Sequence, residues 1–457
     1  MASRTADVVI CGAGIAGISL AYHLAVRHGL NDILLVDGRP PLTLTSDKST
    51  EAYRNWWPGP DPSMIQLMNR SIDLLEELAL ETDNRFLLNR RGYLYATAQS
   101  DQAKKLHEAA QQASHQGAGP LRVHCGQTDD PLYQPADPEA FTGQPTGADL
   151  FLDPALIQQT FPYLSADVVA GLHVRRCGWF SGQQLGMILL EQARASGVNL
   201  VNAWVEEVET DKDRVQSVHL STGETVPCGV FVNAAGPMLK PVGALLGVDL
   251  PVFSELHVKA SFTDHLGVIP RDAPLLIWQD SQVLNWSDEE RALFSEAADT
   301  AWLLQEFPGG VHGRPEGGSA SQQIIVLWPY HAHPVDEVFP IPTDPMFPEL
   351  ALRGLAALIP GLSAYIDRMP RPYVDGGYYT KTRENRPLAG PLPVEGAYVL
   401  GALSGFGLMA SLGAAEIVAT CIAESGLPAY ASAFSPARYA DPAYQNLVEN
   451  WGPSTQL

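Results

Sequence analysis

The residues best spaced for chemistry stand at the start of the chain. Gly12, Gly14 and Gly17 keep the G-x-G-x-x-G spacing, and Asp37 lies twenty residues past the last of them. Such a set suits a dinucleotide. The first glycine permits a tight turn, the second lets backbone approach a pyrophosphate, and the third lets a helix pack on a strand, while the acid accepts hydrogen bonds from a ribose. A second glycine turn, Gly401 to Gly407, feeds a helix rich in small residues. Its N-terminal partial charge would face an electron-rich ring, unless the turn is a plain strand–helix junction. Arg54 could grip a carboxylate through a fork of two hydrogen bonds, or tie its loop to Glu51. Trp56 and Trp57 would wall an apolar or cationic pocket, or simply pack. His331 and His333 alternate as on a strand, but no third ligand accompanies them and no metal is expected. Lys259 reads as a solvated strand residue, and Arg383 and Arg386 as partners in a local ion pair with Glu384.

The flanking elements decide for the dinucleotide. The apolar run at 8–11 suits a strand buried on both faces, 15–28 carries one apolar helical stripe, and 33–36 is a second buried strand ending on Asp37. A long Pro/Ser/Thr-rich loop over 38–63 precedes a helix at 62–80. Further on come a strand at 92–97, a surface helix at 100–116 and an irregular excursion over 117–147. A helix at 181–196 leads into β segments at 200–208, 215–221 and 228–233, the last ending in Ala234-Ala235-Gly236. Residues 250–370 alternate strand-like pieces around an inserted helix at 287–306, opened by Ser287 before Asp288, Glu289 and Glu290.

With 457 residues, two domains are expected. A net charge of -22 argues against nucleic acid or an anionic membrane as partner. The five scattered cysteines suit reduced thiols, and neither a leader before the first strand nor a membrane span is expected, so the expected location is cytoplasmic.

GAGIAG with Asp37, SDKSTEAYR, VNAAGP, and YYTKTRENRPLAG with LSGFGLMAS together resemble the D-amino-acid oxidase and sarcosine oxidase superfamily of FAD-dependent oxidoreductases. The resemblance implies an α/β fold: a Rossmann-like FAD-binding domain from 1–85, 151–249 and 371–457, with a mixed, mainly antiparallel substrate domain from 86–150 and 250–370 roofing the flavin. It implies FAD contacts at Gly12, Gly14, Ile15, Ala16, Gly17, Asp37, Gly38, Arg39, Ser46, Ser49, Val205, Ala235, Gly236, Gly405, Phe406, Gly407, Leu408 and Met409. It also places Arg54 and Tyr379 at the substrate end, and His331, read from its own position, is a further candidate site residue near the flavin.

The implied reaction oxidises the C–N bond of an amine or amino-acid derivative by hydride transfer to flavin N5, followed by imine hydrolysis. Oxygen or another acceptor would take the electrons. Oxidation of a 2-hydroxy acid or polyol in the same fold, and a catalytically silent FAD-binding scaffold, are the alternatives. Where relatives carry a flavin-attaching Cys this chain has Gly377, and SDKSTEAYR holds no His, so FAD is expected to be non-covalent. Met409 stands where sarcosine oxidases carry a carboxylate-binding Lys, and the strand at 324–330 lacks their second Lys. Both departures suggest a less acidic, more apolar or aromatic substrate.

Overall fold

The computed structural model describes residues 4–450. Its first sheet has six strands in the order Leu388–Pro391, Ala397–Gly401, Val230–Asn233, Val8–Cys11, Ile33–Asp37 and Asn199–Asn202. Five run parallel, and the edge strand Leu388–Pro391 is antiparallel to its neighbour. Both faces of the central strands are covered, so Val8, Val9, Ile10, Leu34 and Leu35 are all buried, as an uninterrupted apolar run requires. Helix Ile15–Tyr22 packs against helix Gly407–Ile422, which lies in turn on helix Ser63–Glu81. Small residues bring the last two together: a methyl at Gly413 would lie 3.1 Å from the Leu67 backbone oxygen. Residues 404–422 have the length and apolarity of a membrane span, but most of this stretch is buried within the fold.

The second sheet has ten strands and is mainly antiparallel. Its long strand Phe253–Thr263 pairs along nine positions with Tyr373–Lys381, and on its other side with Gln323–Leu327. Beyond that lie Val311–Glu316, Leu275–Trp278, Tyr93–Thr97, Ala170–Val174, Ala148–Phe151 and Leu121–His124. A separate three-stranded sheet, Val205–Asp211, Arg214–Leu220 and Thr225–Pro227, packs beside the first.

These pairings cut the chain at places other than the expected boundaries. Strands Ala170–Val174 and Tyr373–Lys381 belong to the ten-stranded sheet, although 151–249 and 371–457 are expected in the cofactor half. The β propensity of these segments is legible; the sheet they join is set by long-range pairing. The inserted helix is also shorter than 287–306. It runs only over Asp288–Glu296, with the expected reciprocal cap between Ser287 and Glu290. Ala297 is extended, and a 3-10 turn at Ala301–Leu304 follows, where the Trp286 indole N–H donates to the Leu303 carbonyl. The excursion over 117–147 contains the edge strand Leu121–His124.

That edge encloses a charged cluster. Fully buried Asp149 accepts hydrogen bonds from Arg122 Nε at 2.7 Å, Arg175 Nη1 at 2.6 Å and His124 Nε2 at 3.0 Å. Burial opposes its charge, but the three donors outweigh it and hold the carboxyl well below the usual range. Its contribution is therefore present above the unfolded-state pKa of about 3.9 and is lost as pH falls toward the folded value. Asp149→Leu, which strands the buried Arg175 guanidinium, is expected to cost about 3–5 kcal/mol. A urea-unfolding midpoint at neutral pH measures this, and the deficit relative to wild type should shrink in acid.

Candidate active site and cofactor cleft

A cleft opens along the carboxyl ends of the parallel strands. Gly12 sits there with φ +112°, and a Cβ on it would fall 2.4 Å from the Ala234 carbonyl oxygen, so the turn excludes any side chain. Gly14 caps helix Ile15–Tyr22 without a side-chain bond, and the Ile15 N–H donates to Ser46 Oγ at 2.9 Å. Asp37 is drawn to the turn: Oδ2 accepts from the Ala13 N–H at 2.8 Å and Oδ1 from the Arg39 N–H at 2.9 Å. At the far end, the N-terminus of helix Gly407–Ile422 has no side-chain cap, and Gly405, Gly407 and Leu408 border the cleft. Ala402 and Ser404 hold positive φ in the preceding turn, a strain of about 1 kcal/mol or more each. Ser404 Oγ is buried in the cleft wall and has no hydrogen-bond partner.

A second cavity adjoins the first, and Tyr379 and Gly405 line both. Arg54 reaches it from the short strand Ala52–Arg54, which pairs with Cys177–Trp179 inside the loop expected to lack regular structure. Arg54 is 4% exposed, donates Nε–H to the Trp56 carbonyl at 3.2 Å, and lies 4.4 Å over the Trp57 ring. Trp57 meets Phe406 edge-on and Trp56 packs against Tyr95, so the tryptophans back the arginine. Tyr93, Leu275, Leu327, Trp328 and Met409 supply the apolar wall. His257 and His312 complete it. His257 stacks on Tyr379 at 4.0 Å, and His312 Nδ1 donates to the Gly310 carbonyl at 2.9 Å. Burial pushes the Tyr379 phenol well above its ordinary value and lowers the His312 imidazole to about 4.

The loop between the two cavities is held from above by the ten-stranded sheet. Lys259 Nζ donates to the carbonyls of Asp47 at 2.8 Å and Ser49 at 3.2 Å, and Arg314 donates twice to that of Thr50. Lys259 is therefore not the solvated residue expected. Its side chain points down onto the loop, and burial lowers its pKa despite Glu51, Asp375 and Asp47 nearby.

Residues 7–420 match the model of the FAD dependent oxidoreductase (DAO) family. The chain belongs to that family. Among sequence relatives, mitochondrial dimethylglycine dehydrogenase of Rattus norvegicus is 26% identical over 316 residues, covering 68% of this chain and 33% of the relative. The chain thus spans about a third of the length of the curated relatives it matches. Among solved structures, L-proline dehydrogenase from P. horikoshii superposes with TM-score 0.73 at 17% identity, covering 96% of this chain and 98% of that one. Glycine oxidase from Geobacillus kaustophilus gives 0.71 at 15% identity, with 95% and 98% covered. At such identities the likeness is one of fold.

The cleft suits the family's cofactor. The side-chain-free turn at Gly12, the uncapped helix ends and the orphaned Ser404 hydroxyl are what a bound FAD would occupy or satisfy. Of the residues the resemblance named, Gly12, Gly14, Ile15, Ala16, Asp37, Arg39, Ser46, Ser49, Ala235, Gly236, Gly405, Gly407 and Leu408 line it. Five do not. Gly17 packs the helix on the turn, Gly38 lies against the Trp204 ring, and Val205 pairs with Leu220 in the three-stranded sheet. Phe406 is buried beneath Trp57, and Met409 faces the second cavity.

His331 is misplaced by the sequence reading. It lies outside both neighbouring strands, is exposed, and packs on Trp302 and Tyr330 away from both cavities. The apparent alternation with His333 belongs to a turn, and among the described residues no cluster of three or more His, Cys, Asp or Glu side chains gathers round them. Arg383 and Arg386 are also elsewhere: Arg386 pairs with Asp61, while Glu384 pairs with Arg438. The histidines the sequence reading missed, His257 and His312, stand on strands whose pairing alone turns them toward Arg54. Lys259→Met, which removes two donors to the loop, is expected to weaken FAD retention about tenfold (about 1.4 kcal/mol). Following flavin release by fluorescence during dilution measures it.

Proposed function

We propose that this chain oxidises the C–N bond of an amino-acid-like amine whose carboxylate is anchored by Arg54. The carrying observation is the position of that buried arginine: its cavity shares the Tyr379 and Gly405 walls with the cofactor cleft. When bound, FAD would accept hydride from the carbon next to nitrogen, and water would then hydrolyse the imine. The chain's own residues do the rest. Arg54 fixes one end of the substrate, the apolar wall of Leu275, Leu327, Trp328 and Met409 excludes water, and the uncapped helix N-terminus at Gly407 favours negative charge in the cleft. Non-covalent attachment fits position 377, where a Cβ would sit 3.1–3.2 Å from Lys48 and Thr45. The wall favours an N-alkylated or aromatic amino acid over a dicarboxylate, since among the described residues Arg54 is the one Arg or Lys lining that cavity.

Anaerobic mixing of FAD-loaded protein with N-methyl amino acids, simple amino acids and 2-hydroxy acids tests the reading. Loss of flavin colour with amines alone is the expected result. Bleaching by hydroxy acids alone would move the reaction to C–O oxidation, and bleaching by none would leave a silent flavoprotein. Admitting air afterwards shows whether oxygen is the acceptor.

A further inference from the structure

His257 occupies a setting that packing alone does not explain. Glu255 and His257 are two apart on one strand and share a face, so the imidazole Nε2–H donates to Glu255 Oε2 at 3.2 Å. The same carboxylate accepts from Lys381 Nζ at 3.2 Å on the paired strand. Glu255 and Lys381 are each 8% exposed, and the imidazole is stacked on Tyr379. Ring and carboxylate are therefore held in one orientation, and with Nε2 carrying the proton, Nδ1 presents a lone pair. His257 lines the cavity that contains Arg54.

We propose that His257 accepts the proton of the substrate ammonium group, with Glu255 as its positioning residue. The claim rests on the amine reading above. The N–H bond of the ammonium breaks, its electron pair stays on nitrogen, and a new N–H bond forms at His257 Nδ1. No electrons leave either partner in this step. The amine is left neutral, the form from which hydride can depart. Among the described residues no Asp or Glu lines this cavity, so no carboxylate in its wall pairs with an amine that stays charged.

Other groups face the ring. Glu255 and Lys259 share its strand and face, Tyr379 and Lys381 lie on the neighbouring strand, and His312 and Arg54 stand across the cavity. Burial lowers the His257 pKa, Lys381 adds to that, and the hydrogen bond and charge of Glu255 partly restore it, leaving a neutral base at physiological pH. His312 also has a free nitrogen, but no carboxylate stands beside it to stabilise an acquired proton.

The test uses the FAD-loaded full chain, the anaerobic rate of flavin bleaching by an N-methyl amino acid across pH, and binding of a carboxylate with a thioether in place of the amine. His257→Gln should bind the thioether normally yet bleach on the order of 100-fold slower at neutral pH. Its rate should climb as pH approaches the free amine's own pKa. Glu255→Gln keeps the imidazole but removes the charge that raises its pKa, so the acid limb of the profile should move to lower pH. A wild-type profile in either variant, or loss of that limb in His312→Gln instead, overturns the assignment while leaving amine oxidation intact. A wild-type protein that binds the thioether but is bleached by no amine overturns both.

Discussion

Gly14→Val is expected to purify as folded, colourless protein. A Cβ at position 14 meets only Ser46 Oγ, at 3.3 Å, so the added methyls project into the cleft rather than into the fold. The turn's other two glycines behave differently. A Cβ at Gly12 lands 2.4 Å from the Ala234 carbonyl, and one at Gly17 lands 2.0 Å from that of Gly12. Alanine at either should therefore disturb the strand–helix packing itself. The Gly14 variant separates cofactor from scaffold: FAD affinity should drop at least about 100-fold (about 2.7 kcal/mol), because the helix N-terminus can no longer be approached. Thermal unfolding of the apo-protein should be nearly unchanged. Retention of a full complement of FAD would remove the phosphate from this turn.

Arg54→Ala should bind FAD normally and lose its substrate. Arg54 lines the second cavity and not the cleft proper, so the flavin spectrum should survive. A carboxylate deprived of a buried charged partner should bind on the order of 100-fold more weakly, about 3 kcal/mol. Arg54→Lys restores the charge without the planar fork and should recover only part of the loss. Titrating the flavin absorbance with the thioether carboxylate measures both variants. Undiminished affinity in Arg54→Ala would place the substrate elsewhere.

The cofactor half was legible because its chemistry is local. A buried strand, three glycines, an apolar helical stripe and a terminal acid lie within 7–37, and each specifies its own conformation. The capping box at Ser287 was legible for the same reason, whereas the length of its helix was not: Ala297 is extended, and beyond it the Leu303 carbonyl accepts from the Trp286 indole. The second cavity resisted reading because it is assembled from strands far apart in sequence. His257 faces it only because Phe253–Thr263 pairs with Tyr373–Lys381, more than a hundred residues away. His331, the histidine that alternation favoured, stands on a turn. Lys259 looked solvated because its partners are backbone carbonyls, which leave no charge pattern in a sequence.

The most direct check is an experimental structure of the FAD-loaded protein soaked with the thioether carboxylate. The account predicts the pyrophosphate at Gly12 and Gly14, the flavin ring against Tyr379 and Gly405, and the carboxylate on Arg54 beside His257. A ring lying away from Tyr379, or a carboxylate held without Arg54, would contradict it.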